Sequence, residues 1–299
     1  MSGQEAASAG KASELTQVPD RLYAGYVFDL DGTIYLGSEL LPGAARLVRA
    51  LRDMERKVVF VSNNPTRDPE DYARKLSELG LPTPASAVIN TVVTTTEWLA
   101  ANAPDATVFP ISEEPLKRAL RGRGIRISED PPEIDIVIAS YDRQFEYRKL
   151  QIAFDAIRGD RHARLMATNP DRFCPFPDGR GEPDAAAITA AVQACTDTSC
   201  ELHFGKPGPV MLNAIAAALA LAPEDCVLTG DRLTTDIQAA REAAMASALV
   251  LTGETDPQSL TDIPDQHRPD YVLDRVDRLM PAERWAELQW RAETDAPAT

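Results

Sequence analysis

The chain has 299 residues, 44% hydrophobic and 26% charged, which is enough apolar material for two ordinary domains with a core each and too much for a disordered chain. Its formal net charge of −15 opposes broad contact with nucleic acid or an anionic membrane, yet leaves room for a local anion site built from backbone amides and a lysine. Four cysteines and three histidines are scattered along it, so neither a disulfide framework nor a zinc site is expected.

Residues 1–20 are polar and lack the apolar stretch of a secretory leader, and they read as a disordered tail. The longest apolar run, Met211 to Ala222, is alanine-rich and carries Asn213. It falls short of the roughly 20 residues that span a bilayer, so a cytoplasmic protein with small-molecule partners, no nucleic acid and no membrane is expected.

The first strong signal is Tyr26-Val-Phe-Asp29-Leu-Asp31-Gly32-Thr33, where an apolar run ends in two carboxylates one residue apart and a glycine. A buried parallel strand delivers groups to its C-terminal edge in this way. Two carboxylates so close make chemical sense if a divalent cation shares their charge and one of them holds a proton for part of a cycle. The plainer alternative is a strand ending in an Asp-rich turn that caps the next element.

Pro42 to Arg52 then shows a helical stripe through Leu47, Val48 and Leu51, and Lys57 to Val61 is a β-rich run ending in Ser62-Asn63-Asn64. Strand, helix and strand make a βαβ unit, whose crossover sets Ser62 on the same sheet edge as Asp29. A helix through Tyr72 and Leu76 ends at Gly80, and a second α/β series follows: Val88-Ile89, Ala106 to Pro110, Ile134 to Ile138 and Arg164 to Thr168, with helices between. Residues 88–200 therefore read as an inserted domain, and Thr168 to Pro183, rich in Pro, Gly, Asn and Asp, as its long ordered loop. Glu201 to Phe204, Cys226 to Thr229, Ala248 to Leu251 and Tyr271 to Leu273 resume the first series as strands. The first two lead into Gly205-Lys206-Pro207-Gly208-Pro209 and Gly230-Asp231-Arg232-Leu-Thr-Thr235-Asp236. A last helix lies around Trp285, Leu288 and Trp290.

Four stretches in order, DLDGT, the serine of SNN, the lysine of GKPGP and the acids of GDRLTTD, resemble the haloacid dehalogenase superfamily of phosphohydrolases. The insertion, with Ser140 to Tyr147 and Ala167-Thr-Asn-Pro-Asp171, resembles the NagD-type branch with its α/β cap, which includes 4-nitrophenylphosphatases and phosphoglycolate phosphatases. The fold so implied is α/β: a doubly wound, Rossmann-like parallel-sheet core over residues 21–87 and 201–299, with an inserted α/β cap domain over 88–200.

The resemblance implies that Asp29 attacks phosphorus to form an aspartyl-phosphate and that Asp31 serves as acid and then base. It implies Mg2+ held by Asp29, the Asp31 carbonyl, Asp231 and Asp236, and phosphoryl oxygens gripped by Ser62, the Asn63 N–H and Lys206, with Gly32 and Asn64 beside them. Taken singly, Ser62 reads as a helix cap and Lys206 as a turn lysine; Arg232 reads as a side chain paired with a surface acid. Tyr141, Phe173 and Cys174 match the family's substrate-facing cap positions, and the resemblance raises a homodimer through the cap. The partner it implies is a small phosphate monoester; a phosphotransferase or mutase, and a regulatory module without turnover, are the alternatives.

Two departures from the family pattern carry structural expectations. Pro183-Asp184-Ala185-Ala186-Ala187 replaces a glycine-bearing segment, with Asp184 as N-cap of the next helix. Ala239, Ala240 and Ala244 replace glycines after Asp236 and are expected to stiffen a helix there.

Overall fold

The computed structural model describes residues 16–176, 180–264 and 267–291, so most of the tail expected over residues 1–20 lies outside the described residues. The chain forms two compact units. One gathers the described residues up to Val61, Leu76–Thr83 and the chain from Ile215 onward; the other gathers Ser62–Lys75 and Pro84–Ala214.

In the first unit the strands run in the order Tyr271–Leu273, Ala246–Val250, Cys226–Gly230, Gly25–Asp29 and Lys57–Ser62. Each neighbouring pair is parallel. Tyr26, Val27 and Phe28 are fully buried on the central strand, as both faces of a parallel sheet demand. Register sets Gly25 beside Cys226 and Phe28 beside Thr229 on one side, and Asp29 beside Val61 on the other. The apolar run thus ends, as its composition dictates, where Asp29 leaves the sheet.

The C-terminal helix Ala282–Glu287 is held through ring and charge contacts. Trp285 and Trp290 meet edge to face at 5.6 Å, and the Arg46 guanidinium lies 4.8 and 4.9 Å from their ring centres. The same Arg46 donates from Nε to the buried Asp277 at 2.6 Å, and Arg275 pairs with that carboxylate at 2.8 Å. An ion pair that leaves water needs such multiple donors to offset its desolvation.

The second unit is built on parallel strands in the order Leu202–His203, Arg164–Ala167, Ile136–Ala139, Thr107–Ile111 and Arg126–Ile127. Leu202–His203 thus pairs with Arg164–Ala167 instead of resuming the first sheet, because its neighbour Phe204 packs at 5.6 Å on Trp98 and joins the core with Val108, Ile138 and Met166. On the other face Ile152, Ala153, Ala156, Ile188 and Val192 close over Val137 and Leu165. Asp184 caps the helix Ala185–Thr196, its carboxylate accepting the Ala185 N–H at 2.5 Å. The segment Thr168 to Pro183 contains a short antiparallel ribbon, Phe173–Pro175 against Gly181–Pro183; residues 177–179 lie outside the described residues.

The alanines after Asp236 do not make one stiff helix. Leu233–Ile237 is a π turn, Gln238–Glu242 a single α segment, and Ala244 takes φ 54° as the Met245 N–H reaches back to the Ala240 carbonyl at 2.9 Å. This is the left-handed helix-ending position that favours glycine, and an exposed alanine there gains little packing to offset the strain. Ala244→Gly is expected to stabilise the protein by about 1 kcal/mol, read as a rise of roughly 2 °C in Tm. A lower Tm would mean that the strain is absent.

Candidate active site

In the first unit the central strand leaves Asp29 half-buried at its end. The adjacent strand ends in Gly230 and leads to Asp231, and the π turn brings Asp236 back onto it. Carboxylate oxygens of Asp29, Asp231 and Asp236 lie within 4.8 Å of one another. Asp231 and Asp236 are 3% and 1% exposed, so water screens them poorly. Two such charges at that spacing repel by on the order of 3 kcal/mol at the effective dielectric of a protein.

Backbone amides meet part of this load. The Arg232 N–H donates to Asp236 Oδ2 at 3.1 Å and the Glu254 N–H to Asp231 Oδ2 at 2.7 Å. Arg232 pairs through Nε with Glu254 at 2.9 Å, which is the acid partner expected of it. Space is equally constrained, since a Cβ on Gly230 would enter the Asp236 side chain and one on Gly32, at φ +81°, would lie 2.6 Å from Asp231 Oδ2.

Asp31 is exposed, and its Oδ2 accepts the Tyr35 hydroxyl at 3.2 Å. A hard, oxygen-only donor set fits Mg2+, and no sulfur or imidazole belongs to it.

In the second unit side-chain hydrogen bonds join Asn63 to Lys206, with Ser62 preceding Asn63 in the chain. Ser62 Oγ accepts the Asn64 N–H at 3.2 Å and lies 3.4 Å from the Tyr72 hydroxyl. Asn63 Oδ1 accepts the Lys206 N–H at 2.7 Å, while its Nδ2 donates to the Lys206 carbonyl and to Asp171 Oδ2, both at 3.0 Å. The Asn63 carbonyl in turn accepts from Thr91 and Asn169 at 3.0 Å. Asn63 therefore locks the loop carrying Lys206, and Gly205 is required beside it because a Cβ would lie 2.5 Å from Asn63 Oδ1. Lys206 is 2% exposed, a burial no surface lysine shows. The Asn64 side chain is engaged locally, accepting the Thr66 N–H and hydroxyl at 2.9 and 2.7 Å.

Among the cap positions, Tyr141 is buried and its hydroxyl donates to Glu182. Burial, and then that carboxylate, push the phenol far above its ordinary value, so it stays a neutral donor. Glu182 stands opposite Cys174 in the ribbon, and directly opposed residues share a face. Phe173 is 42% exposed. Glu182, Asn169, Asp171 and Gly253 gain a place at these sites only from the fold. Asn169-Pro-Asp171 and Leu251-Thr-Gly253 both follow apolar runs, the local signal that singled out Asp29.

Models of two families match the chain: haloacid dehalogenase-like hydrolase over residues 26–126 and a HAD-hydrolase-like family over residues 203–279. With the fold and the carboxylate cluster in place, the chain belongs to the haloacid dehalogenase-like hydrolases, as a phosphoric monoester hydrolase of their NagD-type branch. It is 33% identical to the sugar-phosphatase AraL of Bacillus subtilis, over 85% of this chain and 90% of that protein. It is 31% identical to the 5'-nucleotidase YutF of the same organism, over 87% and 99%. The crystal structure of a 4-nitrophenylphosphatase from Thermotoga maritima superimposes with a TM-score of 0.80 at 32% identity, covering 86% of this chain and 96% of that one.

Proposed function

We propose that the protein is a Mg2+-dependent phosphatase that hydrolyses small phosphate monoesters, sugar and polyol phosphates foremost, through an aspartyl-phosphate on Asp29. The observation that carries this reading is the convergence of Asp29, Asp231 and Asp236 at the ends of two parallel strands and a π turn. The relatives named for sugar phosphates and 4-nitrophenyl phosphate support the substrate class. The division this reading uses is a core drawn from residues 21–87 and 201–299 and an inserted cap of 88–200, with the strand Leu202–His203 joining the cap's sheet, in a cytoplasmic setting that suits four free cysteines.

In the proposed cycle an Asp29 oxygen attacks phosphorus, the ester P–O bond breaks, and the leaving oxygen takes a proton from Asp31. Water then attacks the aspartyl-phosphate, its proton passes to Asp31, and phosphate leaves with Asp29 restored. Asp31 suits both roles because it is exposed and oriented by Tyr35. Ser62 Oγ, the Asn63 N–H and the Lys206 ammonium neutralise the phosphoryl oxygens as charge develops, and the Asn63 lock on the Lys206 backbone pre-organises them. Asp29, Asp231 and Asp236 would hold Mg2+, which supplies charge neutralisation for the phosphoryl group.

Specificity then falls to the cap face bearing Cys174. Glu182 adds a carboxylate to that face, anchored by Tyr141, so leaving groups that carry a second anion are expected to be poor substrates and hydroxyl-rich neutral ones good. The test is phosphate release across sugar, polyol, glycolate, nucleotide, pyridoxal and bisphosphate esters. Cys174→Ala and Tyr141→Phe should reorder that series by about 1–3 kcal/mol of discrimination while 4-nitrophenyl phosphate changes less. A uniform loss on all substrates would reduce the cap face to a lid, and label passing to a sugar hydroxyl in place of water would make the protein a phosphotransferase.

A further inference from the structure

The segment after the strand Ala246–Val250 meets Asp231 or the facing Gly32 at four successive positions, Thr252 to Thr255. Thr252 Oγ1 donates to the Gly32 carbonyl at 2.6 Å. The Glu254 N–H donates to Asp231 Oδ2 at 2.7 Å, and Thr255 Oγ1 to the Asp231 carbonyl at 2.5 Å. Gly253 lies flat against the side chain between them, for a Cβ there would stand 2.5 Å from Asp231 Cβ and closer still to its carboxylate. Rotation of the Asp231 side chain cannot relieve an overlap that reaches its own Cβ. Gly32, on the opposite loop, has its Cβ position 3.1 Å from the Gly253 Cα, so the Asp231 carboxylate occupies a slot between two glycines, and Thr252 ties the walls of that slot together.

We infer that Thr252–Thr255 is a positioning clasp that fixes the Asp231 carboxylate for the divalent cation, and that Gly253 is its specificity-setting element: with any side chain there, Asp231 cannot hold its place. The inference rests on the reading of Asp231 as a metal ligand. Groups that orient ligands typically change metal affinity 10- to 100-fold when altered. Gly253 is not among the glycines with positive φ, so its backbone lies outside the left-handed region that disfavours alanine, and the nearest atoms a Cβ would meet all belong to Asp231.

The test is titration of the full-length protein with Mg2+ alone by calorimetry, alongside thermal unfolding in chelator. Gly253→Ala is expected to bind Mg2+ roughly 10- to 100-fold more weakly, with the fold intact in chelator and turnover largely recovered at saturating Mg2+. A scaffold role without positioning would instead lower the folded fraction and leave the Kd of the folded molecules unchanged. Should Gly253→Ala not fold, Thr255→Val removes one hydroxyl at nearly constant volume and is expected to weaken Mg2+ in the same direction. Wild-type affinity in a folded Gly253→Ala, or in Thr255→Val where that variant is needed, overturns the clasp while the metal reading stands. Absence of Mg2+ binding to the wild type overturns both.

Discussion

Asp29→Asn is expected to reduce phosphate release by at least about four orders of magnitude while the protein remains folded. The amide matches the carboxylate in size, so the packing of Phe28 and Leu30 on either side, both fully buried, is undisturbed. It removes the attacking charge and one of three anionic donors in the cluster. Loss of a nucleophile in enzymes of this covalent kind costs on the order of 10^6 in kcat, with a residue of activity left to the groups that bind the transition state. On the proposed mechanism that residual activity would come from Ser62 and Lys206, whose side chains the substitution leaves unchanged. Near wild-type turnover by Asp29→Asn, measured on 4-nitrophenyl phosphate, would overturn the mechanism.

Stripping divalent cations is expected to stop turnover, and Mg2+ to restore it. Three carboxylates within 4.8 Å gain least from backbone donors and most from a divalent charge, and the oxygen-only donor set selects a hard cation. The same argument gives a readout that does not depend on catalysis. Mg2+ at 100 times its Kd should stabilise the folded protein by about 2.7 kcal/mol through mass action, and that gain should vanish in Asp231→Asn. Full activity after exhaustive chelation would sink the metal proposal.

The parts of the fold and site that could be read in the sequence are those whose signal is local. An apolar run that stops at Asp29, and another that stops at Gly230-Asp231, reports a buried strand and its edge in the same few residues, and the cap at Asp184 follows from its place before an alanine-rich helix. What escaped depends on partners far along the chain. Asn63 was read for its backbone N–H, whereas its side chain holds Lys206, 143 positions away. Leu202–His203 reads as any short strand, and the packing of Phe204 decides which sheet it joins. Ala239, Ala240 and Ala244 read as stiffening a helix after Asp236, because alanine favours one, yet the chain there holds only the single α segment Gln238–Glu242 before Ala244 turns left-handed. Ahead of it Leu233–Ile237 forms the π turn that carries Asp236, of the kind that recurs at functional sites. Gly253 carries no propensity signal, and the Asp231 side chain packed against it accounts for a glycine there.

The most direct test of the account is to trap the enzyme during turnover. Wild-type protein mixed with a phosphate-labelled sugar monophosphate and Mg2+, then quenched in acid and digested, is expected to carry label on the peptide containing Asp29, with none in Asp29→Asn. Label on Ser62, or steady phosphate release from a protein that never becomes labelled, would contradict it.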